Sequence, residues 1–545
     1  TQGVSSAASD VYKRQIVDFP APMVARDGFL LPPPRRPWVL GSAQGRTDGS
    51  SAIRVACGSI PLPEGGAWER ARIECVSHAP ALDARTASRP LQRLPDEVVE
   101  GPPVAFSAAV EAAELLALQG SIRFAAEAAL REREVGRGPF PASLSHQRRN
   151  APLAEHRWIR LRPRMLAARD GALCVALGSC SYPGFSFDSE PASASFERLL
   201  KTVRRLGADG PEMLFMLGDQ IYADATGGII DSTNPVERYT DRHQRAFARP
   251  ALQKLLARVP SVCTVDDHEF TDNYPLARPL FKPHLARRGY SRLREAHALQ
   301  AAQNALTAYQ LMHGSESMRR FGFARYERGG VRFFVADTRR WRKAAAHSEP
   351  GRPVAARTLS DEARAAFHAW VEEGRDGDDF HCLLTGSVLL PGLVPGCDPA
   401  NPGPPDSMQA APTERAELLG QLADAVPGRF ACISGDYHLS FSGAVTVDGV
   451  RVGAVMLAPA FYAPLPYANC SPGDLWLDEA LTLPGGRTLR LEAIDGELPQ
   501  RGSGYGLLRF ERRAEGWSAA LSTDLLVLEE GATRKRFDWP SVDLR

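Results

Sequence analysis

The sequence has no CxxC pair and no regular cysteine spacing; its nine cysteines are scattered over 545 residues. That excludes a disulfide framework and a zinc ribbon. Cys174, Cys263, Cys382 and Cys432 lie inside apolar runs, where a thiol serves as a small buried hydrophobe. No run of 18 apolar residues occurs, so no membrane-spanning helix is expected. A dominant charge is missing too. Lys and Arg together number 65 against 64 acidic residues, a net charge of +1. This balance offers neither a nucleic-acid surface nor a membrane-binding face. Lysine is scarce, six of the 65 basic residues. That is a compositional bias, although arginine is also the better fork for phosphate. The absence of a GxSxG elbow argues against a serine hydrolase. Without a Walker A loop, a nucleotide would be substrate rather than fuel. No internal repeat or long low-complexity segment interrupts the chain. The first fifteen residues, TQGVSSAASDVYKRQ, do not begin with Met and differ in texture from the rest of the chain. The lack of a visible signal peptide therefore says little about export, and cytoplasmic and periplasmic locations both stay open.

What is present is ordinary globular composition, 44% hydrophobic and 24% charged, in a chain long enough for one large domain and a smaller one. Residues 1–165 carry many prolines and short strand-like runs, such as 53–57 and 72–76. One helical pattern, 105–134, has a break at Gly120. No chemical motif occurs there, and the region reads as an accessory unit of mixed or mainly β structure. From 166 to 545 the texture changes. Continuous apolar runs at 173–177, 213–217, 261–265, 332–336, 382–386 and 430–434 alternate with helical patterns at 196–206, 236–256, 292–312, 359–373 and 412–423. Such strands are covered on both faces. The pattern turns strand-rich again after Arg451, with a hairpin expected around Glu515-Gly516. These patterns imply an α/β core of two packed sheets with helices outside. The Pro- and Gly-dense stretch 390–409 reads as a surface excursion, and the helical patterns at 236–256 and 292–312 as candidates for a lid.

Four of the buried runs end in unusual chemistry. The first delivers Gly178-Ser179-Cys180-Ser181, and the second Gly218-Asp219 followed by Tyr222 and Asp224. The third gives Asp266-Asp267-His268-Glu269 with Asp272 and Asn273, and the last gives Ser434-Gly435-Asp436-Tyr437-His438. Each has a plainer reading alone, as a cap, a turn or a structural histidine. Together they would gather anionic groups at a cost of several kcal/mol unless cations neutralise them. Thiolate, phenolate and imidazole suit a transition metal such as iron, whereas carboxylates and an amide suit calcium or magnesium. At least two metals sharing one carboxylate is the simplest arrangement, with Asp219 best placed to bridge. Arg339, two residues past Asp337, is a candidate phosphate clamp, with Arg340 and Arg342 as substitutes and a salt bridge to Asp337 as the alternative.

The segments SCS at 179–181, GDQIYAD at 218–224, DDHEFTDN at 266–273, DTRRWR at 337–342 and SGDYH at 434–438 resemble, as a set and in order, the PhoD-type alkaline phosphatases of the calcineurin-like metallophosphoesterases. The resemblance covers 172–526 and leaves the first 165 residues unexplained. It implies a four-layer α/β/β/α sandwich with a metal centre at the strand ends. It departs from the wider superfamily's DxH, GNH and GHxH motifs at Cys180, Asp267-His268 and Asp436-x-His438, as the PhoD-type branch does. By this resemblance Cys180, Asp219, Tyr222 and His438 hold ferric iron. Asp219, Asp267 and Asp436 hold calcium or another divalent cation, with Asn273 contributing. The implied reaction is phosphate-ester hydrolysis, a metal-bound hydroxide attacking phosphorus in line, with His268 to protonate the leaving oxygen or to steady the phosphate. Small-molecule, phospholipid and nucleotide-type esters are all open as substrates. Phosphodiester hydrolysis is the nearest alternative, and a calcium-binding protein without catalysis the more distant one.

Overall fold

The computed structural model describes residues 171–544 except 183–188, 225–234, 248, 257–258, 276–291, 312–314, 344–345, 350–351, 395–405, 464–469 and 528–532, together with backbone strands between Trp38 and Pro163. The chain divides into two compact units. The first holds residues 1–166 with 253–260 and 307–313, and the second holds the rest.

The first unit contains a five-stranded sheet and a three-stranded one, largely antiparallel. The helix expected over 105–134 is corrected here: Phe106–Ala108 and Ile122–Ala128 are strands, and the remainder lies outside the described residues. Ile122–Ala128 pairs along its length with Ala71–Ser77, and that pairing outweighs the helix propensity of its alanines.

The second unit is an α/β fold built on two mixed sheets. In the first sheet β1 (Ala172–Ser181), β2 (Met213–Leu217) and β3 (Ser261–Thr264) run parallel in the order β3-β2-β1. In the second, β4 (Phe323–Arg328) is an antiparallel edge beside β5 (Val331–Ala336), β6 (Phe380–Thr385) and β7 (Phe430–Ser434), which are parallel. Strands β8 (Leu439–Val447) and β9 (Val450–Leu457) continue this sheet, β9 parallel to β7. Strand β10 (Ala460–Tyr462) returns to the first sheet beside β1, followed by the hairpin β11 (Ser503–Arg513) and β12 (Gly516–Val527). Every residue of β2 and β7 is buried, as continuous apolar strands require.

Successive side chains of a strand point to opposite faces, and two adjacent phenylalanines show what each face meets. Phe333 of β5 faces the first sheet, its ring 5.0 Å from Phe215 of β2 and 6.1 Å from Phe510 of β11. Phe334 turns to the other side and packs on Phe367 and Trp370 of helix α2 (Asp361–Glu373). On the first sheet, Phe196 of helix α1 (Ser189–Leu206) stacks on Phe461 of β10 at 4.6 Å. The helical pattern at 236–256 is two helices, Pro235–Phe247 and Pro250–Leu256; a proline has no N–H for the preceding turn and starts the second one. The ends of the 390–409 stretch are not surface excursions: Leu390, Ser407 and Met408 are buried, and 395–405 lie outside the described residues.

Candidate metal centre

Strands β1, β2, β3 and β7 end at one place, and glycines after β2 and β7 leave the room for it. A Cβ on Gly218 would sit 2.5 Å from the Cβ of Asp266, and one on Gly435 would sit 2.4 Å from the Leu217 carbonyl oxygen. Only glycine lets these strand ends approach so closely. The residues beyond them are held in backbone conformations that L side chains rarely adopt. Cys180, Asp219, Asn273, Asp436 and His438 all have φ between 48° and 70°. Only two other non-glycine residues among those described, Asp448 and Asp495, share this feature. Strain of this kind costs on the order of 1–3 kcal/mol per residue and persists where the surroundings hold it, commonly at functional sites.

The side chains converge in three overlapping groups: Cys180 with Asp219 and His438, Asp219 with Asp267 and His268, and Asp219 with Asp266, Asp267 and Asp436. Within each group the potential ligand atoms lie within 4.8 Å of one another. Asp219 belongs to all three. Its Oδ2 accepts from Cys180 Sγ at 3.4 Å, and its Oδ1 accepts from the His268 backbone N–H at 3.2 Å. Tyr222 reaches the first group through its hydroxyl, 3.1 Å from His438 Nε2. Asn273 stands at the rim, its backbone N–H on Asp267 Oδ2 at 2.5 Å and its side-chain amide on Asp272 Oδ1 at 3.1 Å.

Glu269 fixes this geometry from behind. Fully buried, it accepts from the backbone N–H groups of Asp219, Gln220 and Asp266, at 3.1, 2.5 and 2.8 Å. One carboxylate thus ties the β2 turn to the β3 turn. His268 is fixed from the side: its Nδ1 is 2.8 Å from Asp224 Oδ1, while Asp224 Oδ2 accepts from the Asp272 N–H at 2.6 Å. The His268 ring lies 4.2 Å from that of Tyr222.

Burial raises the Asp219 and Asp436 carboxyls and the Cys180 thiol well above their ordinary ranges, and neighbouring carboxylates push the same way. Burial and Asp406 push Asp267 up to about 7. Asp224 moves oppositely. Burial would raise it, but the charge and hydrogen bond of His268 bring it down to about 2. Burial would lower His268, yet Asp224, Asp267 and Asp219 together hold it well above the ordinary imidazole range.

Arg339 is completely buried among carboxylates. Its Nε donates to Asp266 Oδ1, and its terminal nitrogens fork onto Asp406, Nη2 to Oδ2 at 2.9 Å. Nη2 also lies 3.6 Å from Asp267 Oδ1 and 3.8 Å from Asp436 Oδ2. The guanidinium named as a candidate phosphate clamp thus holds the Asp406 carboxylate in its Nη1–Nη2 fork. The salt bridge to Asp337 belongs to Arg340, which also donates to the Arg319 and Met318 carbonyls. Arg342 donates to Thr338 O, the Asp406 carbonyl and Ser387 Oγ.

This set of side chains fits bound cations. Asp266 Oδ2, Asp267 Oδ1 and Asp436 Oδ2 are buried, and no hydrogen-bond donor reaches any of them. One guanidinium does not balance four carboxylates, so the orphaned oxygens need positive charge. The donors divide by hardness, sulfur, imidazole and phenol on one side of Asp219 and oxygen on the other. The sequence alone assigns no role to Asp266, Glu269 or Asp406. Asp266 and Glu269 stand inside the DDHEFTDN segment, whose chemistry is visible. Asp406 stands in the Pro- and Gly-dense stretch 390–409, with no local pattern to mark it.

The PhoD-like phosphatase family model matches residues 192–458. Among solved structures, the chain is similar to a structure of PhoD at 14% identity, covering 93% of this chain and 88% of that one, with a TM-score of 0.49. It is also similar to a dimetal phosphatase from Danio rerio at 11% identity, covering 68% of this chain and 100% of that one, with a TM-score of 0.35. No curated protein matches it.

Proposed function

We propose, from the match of the PhoD-like phosphatase family model to residues 192–458, that this chain is a metal-dependent phosphoric ester hydrolase in which Cys180, Asp219, Tyr222 and His438 hold ferric iron while Asp219, Asp267 and Asp436 hold calcium. The observation that carries this reading is the meeting of a soft and a hard donor set at one buried carboxylate, Asp219. Asp266 belongs to the oxygen set by distance, but its Oδ1 is engaged by Arg339 and Ser387, so its part is to seat the arginine. When bound, the cations lower the pKa of water and withdraw charge from phosphoryl oxygens.

The protein's own groups supply orientation and a proton. With Nδ1 committed to Asp224, His268 has only Nε2 to offer a substrate. In this reading Nε2 donates the proton to the leaving oxygen of a small-molecule phosphate ester. Buried Arg339 keeps Asp266, Asp267 and Asp436 from repelling one another.

Elemental analysis, visible absorption and hydrolysis of nitrophenyl phosphate test the proposal together. Iron and calcium should both be present, with a broad visible band arising as Tyr222 and Cys180 donate charge into ferric iron. Chelation should remove colour and hydrolysis, and Tyr222→Phe should shift or weaken the band. Asp219→Ala should lose metal and turnover at once. A colourless, fully active protein containing zinc alone would remove the iron assignment. Full metal content with normal turnover in Asp219→Ala would remove the shared carboxylate.

A further inference from the structure

Two forks of opposite charge meet at the edge of the centre. Arg339 points Nη1 and Nη2, the edge that grips two oxygens of a carboxylate or a phosphate, at the two oxygens of Asp406. Of the four carboxylates around this guanidinium, Asp406 has the most exposed side chain, at 21%, against 0% for Asp266, 3% for Asp267 and 14% for Asp436. Arg342 is the second guanidinium here, its Nη1 donating to the Asp406 backbone carbonyl and lying 3.7 Å from Asp406 Oδ1, its Nη2 held by Ser387. The fields of Arg339, Arg342 and His268 all bear on Asp406 and hold its carboxyl below the ordinary range against the effect of burial. A small anion thus sits in the fork of one guanidinium and beside a second. A phosphoryl group would compete for that same fork.

We propose that Asp406 is a resident stand-in for the substrate's phosphoryl group: its carboxylate occupies the Arg339 fork in the free protein and is exchanged for two phosphoryl oxygens when substrate or inorganic phosphate binds. This rests on the phosphoesterase reading above and adds a phosphate subsite, Arg339 with Arg342, that the free protein keeps covered. The exchange is one of ion-pair partners only; no covalent bond changes. Its consequences are physical. A buried arginine stays paired at every stage, which avoids the several kcal/mol of an uncompensated buried charge. Weak anions are refused, because a ligand must outbid a carboxylate already in place. Apparent affinity for phosphate is reduced by the fraction of time the fork is held. A fork occupied about nine-tenths of the time raises the apparent Kd about tenfold.

Calorimetric titration of inorganic phosphate into the metal-loaded full chain measures this directly. Asp406→Asn removes the competing charge and should tighten phosphate about tenfold or more, with KM for a monoester falling in parallel. Arg339→Lys, which cannot form the fork, should weaken phosphate by a similar factor and cancel the gain when combined with Asp406→Asn. Unchanged or weaker binding in a folded Asp406→Asn of normal metal content would overturn the exchange, since Asp406 would then only be holding Arg339 in position. If Asp406→Asn does not fold, Asp406→Ser gives the same reading. Arg339→Lys then stands as an independent one, and wild-type affinity in that variant also overturns the proposal. Failure of every protein to hydrolyse any phosphate ester, with phosphate binding behaving as described, would sink the phosphoesterase reading and leave the exchange standing.

Discussion

The Nδ1 atom of His268 is committed to Asp224, and Asp224 is itself committed to the Asp272 N–H. In the proposed role, Nε2 is the one ring nitrogen left to deliver a proton, which gives the residue a signature that a merely structural histidine would lack. His268→Ala should leave bound metal unchanged and lower turnover of an alkyl phosphate by roughly 10²–10⁴-fold. The loss should be much smaller for a nitrophenyl ester, whose leaving group needs no proton. Asp224→Asn should show the same split between esters to a lesser degree, because the ring stays but its orientation is freed. Rates on both ester types with metal analysis decide this. Equal losses on the two esters would make His268 a positioning group and send the search for the acid elsewhere.

Between strand and turn, the sequence is most readable where chemistry is local. The apolar runs at 213–217 and 430–434 coincide with strands, and each hands its next residues to the centre, as continuous burial and a following Gly-Asp imply. The helix pattern over 105–134 misleads because alanine and glutamate favour helix only until a partner strand is available. Asp406 is invisible for a different reason, since its significance depends on Arg339, 67 positions earlier, and on nothing nearby. Glu269 lies between these cases. Its place beside His268 is visible, but its three backbone partners are not, and these make it the tie between two turns. Glu269→Gln keeps the shape and turns one acceptor into a donor facing a backbone N–H. Stability should fall by about 1–3 kcal/mol, the cost of a buried unmet hydrogen bond. Bound metal should fall with it, because the Asp219 turn loses its anchor. Calorimetry of the metal-loaded variant checks this, and an unchanged melting temperature would refute it.

At the scale of the molecule, a buried histidine away from the metals sets a limit on acid tolerance. His381, the second residue of β6, lies against the Trp370 ring, 4.8 Å away, with its Nδ1 on the Asp379 carbonyl at 3.1 Å. Burial, and then the charge of Arg332, lower its pKa to about 4 from an ordinary 6.5. The unfolded chain therefore takes up a proton between pH 6.5 and 4 that the folded chain refuses. Stability is full above 6.5 and falls as the pH drops through that window, by up to about 3 kcal/mol. His381→Gln, neutral throughout, should flatten this part of the acid limb in melting temperatures taken from pH 7 to 4.5; an identical slope would assign the loss to other groups. The sulfur of Cys180 meets the carbonyl of Asp436 across 256 positions of chain. A ribosome adding about 5–20 residues per second has therefore exposed Cys180 and Asp219 for tens of seconds before His438 exists. No cation can be fully coordinated during that interval. The proposed donor set is therefore complete only late in synthesis, and the cations present at that stage compete for a site that earlier ones could not have filled.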